Sequence, residues 1–246
     1  MYKKMADVYD DLMNDAPYDE WLHFINFLTP TSNIKILDMG CGTGEIAIRL
    51  GNQGYEVKAF DLSEDMIKVA ASKVRSQSVT FFQNDIRTFN LNETFDLIIS
   101  FCDVINYVTN KNELMDVFSR AYQHLDERGV FSFDVHSESY IDWLVEQEIF
   151  SAIENDVSYV WFTEPGSQAG SIEHDLTFFV KQENGLYKRH DERHHQRTFA
   201  ISEYVDMLKE AGFNKIKTYY DFSQKEITST EESHDVDRVF FVCHKE

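Results

Sequence analysis

The sequence predicts an α/β fold, a mostly parallel sheet with helices around it and a small antiparallel β insertion, and three observations carry that prediction. Residues 34–44 read as a strand running into a glycine turn and then a helix. Apolar strand-like runs alternate with stretches of helical spacing as far as residue 136. From 137 to about 197 the apolar residues recur at every second position instead, with turns at Glu164-Pro165-Gly166 and Glu183-Asn184-Gly185.

The glycine turn organises the rest. Ile34-Lys35-Ile36-Leu37-Asp38-Met39 leads into Gly40-Cys41-Gly42-Thr43-Gly44, and Glu45 to Leu50 resumes at helical spacing. A dinucleotide fingerprint places its third glycine three residues after the second, where this chain has Glu45. Asp38, two residues ahead of the turn, would oppose a pyrophosphate and favour a cationic cofactor. S-adenosylmethionine, with its ammonium and sulfonium, fits that requirement. Asp38 to Gly44 resembles the first motif of the class I S-adenosylmethionine-dependent methyltransferases, an acid, any residue, then Gly-x-Gly-x-Gly. The resemblance implies a Rossmann-like sheet of seven strands whose last strand is antiparallel.

Composition narrows the function. The chain has 246 residues, 43% of them hydrophobic, and three prolines, which suits a compact fold with a sizeable core. Forty-three acids against 23 Lys and Arg give a formal charge of -20, which disfavours nucleic acid and anionic membrane surfaces as partners. Cys41, Cys102 and Cys243 are far apart and include no C-x-x-C pair, so no disulfide framework or zinc site is indicated. With no signal-like amino terminus and no long apolar run, a cytoplasmic protein is expected, either monomer or homodimer.

Taken in order, residues 2–29 carry two helical patterns, Tyr2, Met5, Tyr9 and Leu12, then Trp21, Phe24, Ile25 and Leu28, punctuated by Pro17 and Pro30. Tyr9-Asp10 and Pro17-Tyr18 resemble a leader that folds over the cofactor in related small-molecule enzymes; packing onto the domain is the alternative. A second strand, 55–60, ends at Asp61, near the distance at which such an acid receives ribose hydroxyls, with Leu62 beside it. Ser63 supplies its own start to the next helix. After a third strand, 79–83, Asp85 and Ile86 match the family position that meets adenine.

The apolar run 95–101 reads as a central strand delivering Cys102, Asp103, Asn106 and Tyr107 to the carboxyl edge of the sheet. The segment lacks the prolines of enzymes that methylate exocyclic amines of bases and resembles small-molecule members. Residues 113–125 read as a helix, and Gly129 opens a fifth strand ending at His136, a general base or substrate ligand if it is not structural. The insertion, 137–197, is expected to form three or four antiparallel strands over the acceptor, with Tyr140 and Trp161 among its walls. Its polar end, 188–197, contains three histidines; His190 and His194 on one strand face stand too far apart to share an ion, so no metal is assigned and a solvated edge is expected. His195 and Arg197 fall where related enzymes often have His-x-Arg. Ser202 then caps a helix closed by Gly212-Phe213, and residues 215–222 and 236–244 give the last two strands.

The expected organisation is therefore a cofactor-binding catalytic domain, 1–136 and 198–246, with a substrate domain or lid at 137–197. The resemblance implies methyl transfer from S-adenosylmethionine to a nitrogen, oxygen or carbon of a small molecule. The cofactor residues are Tyr9, Tyr18, Asp38, Gly40, Cys41, Gly42, Gly44, Asp61, Leu62, Asp85, Ile86 and Cys102. Asp103, Tyr107 and His136 are the catalytic candidates, and Asn106, Tyr140, Trp161, His195 and Arg197 the substrate candidates. An aminopropyl-type transferase and a non-catalytic cofactor sensor are the competing readings.

Overall fold

A computed structural model describes residues 9–13, 16–29, 34–75, 77–153, 156–227 and 235–245. The helical positions expected at Tyr2 and Met5, and the punctuating Pro30, lie outside them. The chain runs α1 (Tyr9–Leu12), α2 (Tyr18–Leu28), β1 (Lys35–Met39), α3 (Glu45–Asn52), β2 (Glu56–Asp61), α4 (Glu64–Lys73), β3 (Val79–Gln83) and β4 (Phe95–Ser100). A 3-10 turn, Val104–Tyr107, leads to α5 (Lys111–His124), β5 (Leu125–His136) and α6 (Glu138–Gln147). Then come β6 (Ile149–Ile153), β7 (Val157–Pro165), β8 (Ser171–Lys181), β9 (Tyr187–Arg197), α7 (Ile201–Glu210), β10 (Lys215–Tyr220) and β11 (Arg238–His244).

The first sheet has the order β10-β11-β5-β4-β1-β2-β3. β1 to β5 pair in parallel, while β11 runs antiparallel to both β5 and β10, so the final strand sits between the fifth and sixth of this sheet. Side-chain alternation splits the core across its two faces. Leu37, Ile98, Phe133 and Phe241 face α5 and α7, and Ile36, Leu97, Ile99 and Phe240 face α2 and α3. Both sets are fully buried, which explains why β4 reads as a continuous apolar run. The stacked rings of Phe133 and Phe241, 4.8 Å apart, fix β11 against β5.

A second sheet, β6-β7-β8-β9, is antiparallel throughout and occupies the chain between α6 and α7. Four departures from the sequence reading have local causes. The period-two region opens with a helix, α6, because Ser137 caps it, accepting from the Tyr140 amide at 3.0 Å, and Ile141 and Leu144 bury one face. Asn110 starts α5 two residues early, its side chain accepting from the Asn112 and Glu113 amides. β5 begins at Leu125, before Gly129. At α7 the cap is not Ser202: Glu203 turns back to accept from the Ala200 amide.

Candidate active site

The carboxyl ends of β1, β2 and β4 and the inner face of the second sheet enclose a cavity of about 930 Å³. At its floor the chain leaves β1 through Gly40 and Gly42, both in the left-handed region at φ 81° and 53°. The Gly40 and Cys41 amides donate to the Phe60 carbonyl, tying the loop to β2. A side chain at Gly40 would meet Val104 at 2.4 Å, whereas the space beside Gly42 is open. Gly44 is no part of the lining; it starts α3 and lets Phe81 approach. Asp38 is 3% exposed, and its carboxyl has no hydrogen-bond or ion-pair partner among the described residues. Burial, and then Asp61, push its carboxyl up to about 7.

Asp61 spreads its carboxylate over the Gly42 amide, 2.9 Å, and the Ser63 amide, 2.8 Å. It thereby holds the glycine loop and the start of α4, where Ser63 is the cap as expected. Leu62, Asp85 and Ile86 continue the wall. Arg87 clasps Asp85 at 2.7 Å and holds its carboxyl below the usual range. On the other side Tyr9 and Tyr18 form a wall from the leader. Asp10 fastens it, accepting from the Thr43 hydroxyl at 2.5 Å and from Lys73 at 2.7 Å.

At the end of β4, Cys102 and Asp103 both adopt positive φ, 61° and 54°. Two adjacent non-glycine residues in this region store about 1–3 kcal/mol each and concentrate at functional sites. The turn is held because the Asp103 amide donates to Asp134 of β5 at 2.9 Å. The same Asp134, fully buried, accepts from the Trp21 indole at 3.0 Å and from Arg238 at 3.1 Å. Arg238 donates its second nitrogen to Asp103 at 3.0 Å.

The second sheet completes the ceiling with Trp161, His174, His194 and Gln196, joined by Tyr140 of α6. One hydrogen-bond chain descends from it. The Trp161 indole donates to His174 Nδ1 at 3.0 Å, so His174 carries its proton on Nε2 and gives it to the Gln196 carbonyl at 3.1 Å. The Gln196 amide then donates to Asp103 at 2.8 Å. His136 Nε2 stands 3.6 Å from Asp103, and its ring also meets the Asp237 backbone.

Two substrate candidates are elsewhere. Asn106 is fully buried and structural, giving its amide to the Arg197 carbonyl and accepting from the His136 backbone. Arg197 turns away to the Ala169 and Thr109 carbonyls and lies over Phe199. Both clamp the junction of the second sheet, because their partners come from distant backbone. His195 stays at the cavity wall, paired with Glu173 at 2.8 Å. The expected solvated edge at β9 is half wrong: His190 and His194 point inward and are buried.

Comparison with known proteins agrees with this geometry. A family described as "Methyltransferase domain" matches residues 36–129. Two bacterial proteins, each named "Putative methyltransferase", align along the whole chain. The one from Geobacillus sp. (strain WCH70) is 41% identical over 99% of both chains, and YqeM of Bacillus subtilis (strain 168) is 41% identical over 100% of this chain and 97% of its own. The solved structure of an S-adenosylmethionine-dependent methyltransferase from Clostridium acetobutylicum ATCC 824 superposes with a TM-score of 0.83 at 28% identity, covering 99% and 98% of the two chains. The chain belongs to the S-adenosylmethionine-dependent methyltransferases.

Sequence reasoning missed Asp134, Arg238, His174 and Gln196 of this methyltransferase. The available signal was an acid in the mostly apolar strand Val130 to Val135. Burial pushes His136 and His174 down to about 4, so both are neutral at neutral pH. A histidine shifted this way binds its proton more readily when unfolded, so its contribution to stability is complete above pH 6.5 and is lost as pH falls toward 4. Replacing His174 with Gln should therefore reduce the fall in melting temperature of the ligand-free methyltransferase between pH 6.5 and 4. The ceiling on that difference is about 3 kcal/mol at ~1.4 kcal/mol per pH unit. Equal slopes in the two proteins would contradict it.

Proposed function

We propose that this methyltransferase binds S-adenosylmethionine along the cleft from Asp85 to Asp103 and methylates a small molecule lodged under the second sheet. The observation that carries this reading is the solitary carboxylate of Asp38 below an open glycine cradle, a site that is relieved by a cation and that a side chain at Gly42 would fill. When bound, the cofactor supplies a methyl group already activated by its sulfonium.

The chain's task is then to align two molecules and exclude water. Asp61 is placed to receive the ribose hydroxyls, with Asp85 and Ile86 at the adenine and Asp38 near the ammonium. Tyr9 and Tyr18 close the leader side. About 930 Å³ is near the upper end of ordinary ligand pockets, which suits a cofactor together with an acceptor. The second sheet serves as the substrate domain, and Asp103, Tyr107 and His136 meet the acceptor beside Tyr140 and Trp161.

Isothermal titration with S-adenosylhomocysteine tests the reading. Wild type should bind one equivalent, and Gly42→Ala, which puts a Cβ into the cradle, should bind at least tenfold more weakly while its circular dichroism is unchanged. Absence of binding to wild type, or equal binding to Gly42→Ala, would overturn it.

A further inference from the structure

The cavity is uneven in charge. Of its basic side chains, Lys68 and Arg87 lie toward the Asp85 end, each already paired with acids on its own segment. Beneath the second sheet the only cation among the described lining residues is Arg238, which faces two carboxylates, Asp134 and Asp103. Burial pushes the Asp134 carboxyl up, but Arg238, the Asp103 amide and the Trp21 indole all donate to it and favour its charged form. Burial alone would raise the Asp103 carboxyl, but His136 and Arg238 beside it and the Gln196 hydrogen bond hold it below the usual range. With His136 and His174 neutral, two carboxylates against one guanidinium leave one negative charge there, and of the two carboxylates Asp103 is the one that reaches the cavity.

The walls suit a cation as well. Tyr140 lies against His136, with ring centres 4.8 Å apart, Trp161 lies against His174 at 5.4 Å, and Tyr107 shares the lining. Aromatic faces attract ammonium groups, most strongly where water is excluded.

We propose that the acceptor is an amine that reacts as its free base, its nitrogen set beside Asp103 among the rings of Tyr107, Tyr140 and Trp161. This rests on the methyl-transfer reading above. The amine sheds its proton to water as it enters, and the nearby sulfonium favours that loss because the two positive charges repel. The freed nitrogen lone pair forms the bond to the methyl carbon, the electrons of the broken carbon–sulfur bond stay on sulfur, and the positive charge passes to nitrogen. The charge thus moves toward Asp103, which stabilises the transition state more than the ground state. A carboxylate acceptor would be repelled by Asp103, and a hydroxyl acceptor would end neutral and gain nothing from it. The Trp161–His174–Gln196 chain keeps Asp103 oriented from the second sheet, and Arg238 does so from the first.

Three probes that share one ring and differ in charge test this: benzyltrimethylammonium, benzyl alcohol and benzoate, titrated into protein saturated with S-adenosylhomocysteine. The cation should bind at least tenfold more tightly than the alcohol, and benzoate should not bind. In Asp103→Asn, a residue that tolerates positive φ, the preference should fall to less than threefold while S-adenosylhomocysteine still binds, which also reports an intact fold. Tyr140→Leu should weaken the cation selectively. Binding of S-adenosylhomocysteine with no preference for the cation, or a preference retained in Asp103→Asn, overturns the amine assignment alone. Failure of S-adenosylhomocysteine to bind wild type overturns the methyl-transfer reading and this assignment with it.

Discussion

Asp134→Ala is expected to destabilise the protein by about 3 kcal/mol, in the range measured when one partner of a buried ion pair is removed. The change leaves three donors without their acceptor: the Trp21 indole, one nitrogen of Arg238 and the Asp103 amide. Arg238, 18% exposed at its side chain, keeps Asp103, so the loss is less than that of a fully stranded charge. Two consequences beyond stability follow from the wiring. Without the Asp134 oxygen the Asp103 amide loses its acceptor at the positive-φ turn, and without the indole bond α2 loses its polar anchor to β5. For a domain of this size about 3 kcal/mol corresponds to a melting temperature lower by about 6–12 °C. Differential scanning calorimetry reads this directly, and a change below about 2 °C would mean that the cluster is already hydrated or loosely made.

Asp38→Asn should have opposite effects on stability and on binding. In the ligand-free protein the buried carboxyl, raised from 3.8 to about 7, is a cost whenever it is ionised. A carboxyl whose folded pKa lies above its unfolded value favours folding only while protonated. The penalty is therefore absent below about pH 4, grows through the interval to 7, and is complete above it. The neutral variant should match wild type near pH 4 and be more stable at pH 8, with a ceiling of about 4 kcal/mol at ~1.4 kcal/mol per pH unit. Yet the same charge is what the cationic end of the cofactor would neutralise, so affinity for S-adenosylhomocysteine at pH 8 should fall by about 10–100-fold. Thermal melts with and without ligand separate the two effects. A variant that is less stable at pH 8, or one that binds as wild type does, would remove Asp38 from the cofactor site.

The glycine loop was legible because its information is local: Asp38, Gly40, Gly42 and Gly44 lie within seven residues, and each acts through backbone that the same segment builds. Strand order was legible through the family resemblance and through β4, whose residues are buried on both faces. The acceptor side was not. Asp103 meets Gln196 across 93 positions and Arg238 across 135, distances at which no spacing rule operates. Asn106 and Arg197 have the polarity of substrate ligands but spend it on carbonyls and amides that only the assembled junction brings near. The helix α6 was hidden for another reason: Tyr140, Ile141, Trp143 and Leu144 suit a strand by residue type, and only the Ser137 cap marks the helix.

The cleft between Asp85 and Asp103 is the centre of the account, and a crystal structure of the protein with S-adenosylhomocysteine tests it most directly. The adenine should lie by Asp85 and Ile86, the ribose hydroxyls on Asp61, and the sulfur toward Cys102 and Asp103 under the second sheet. A nucleoside bound outside the glycine cradle, or one whose sulfur points away from Asp103, would contradict both the cofactor assignment and the chemistry built on it.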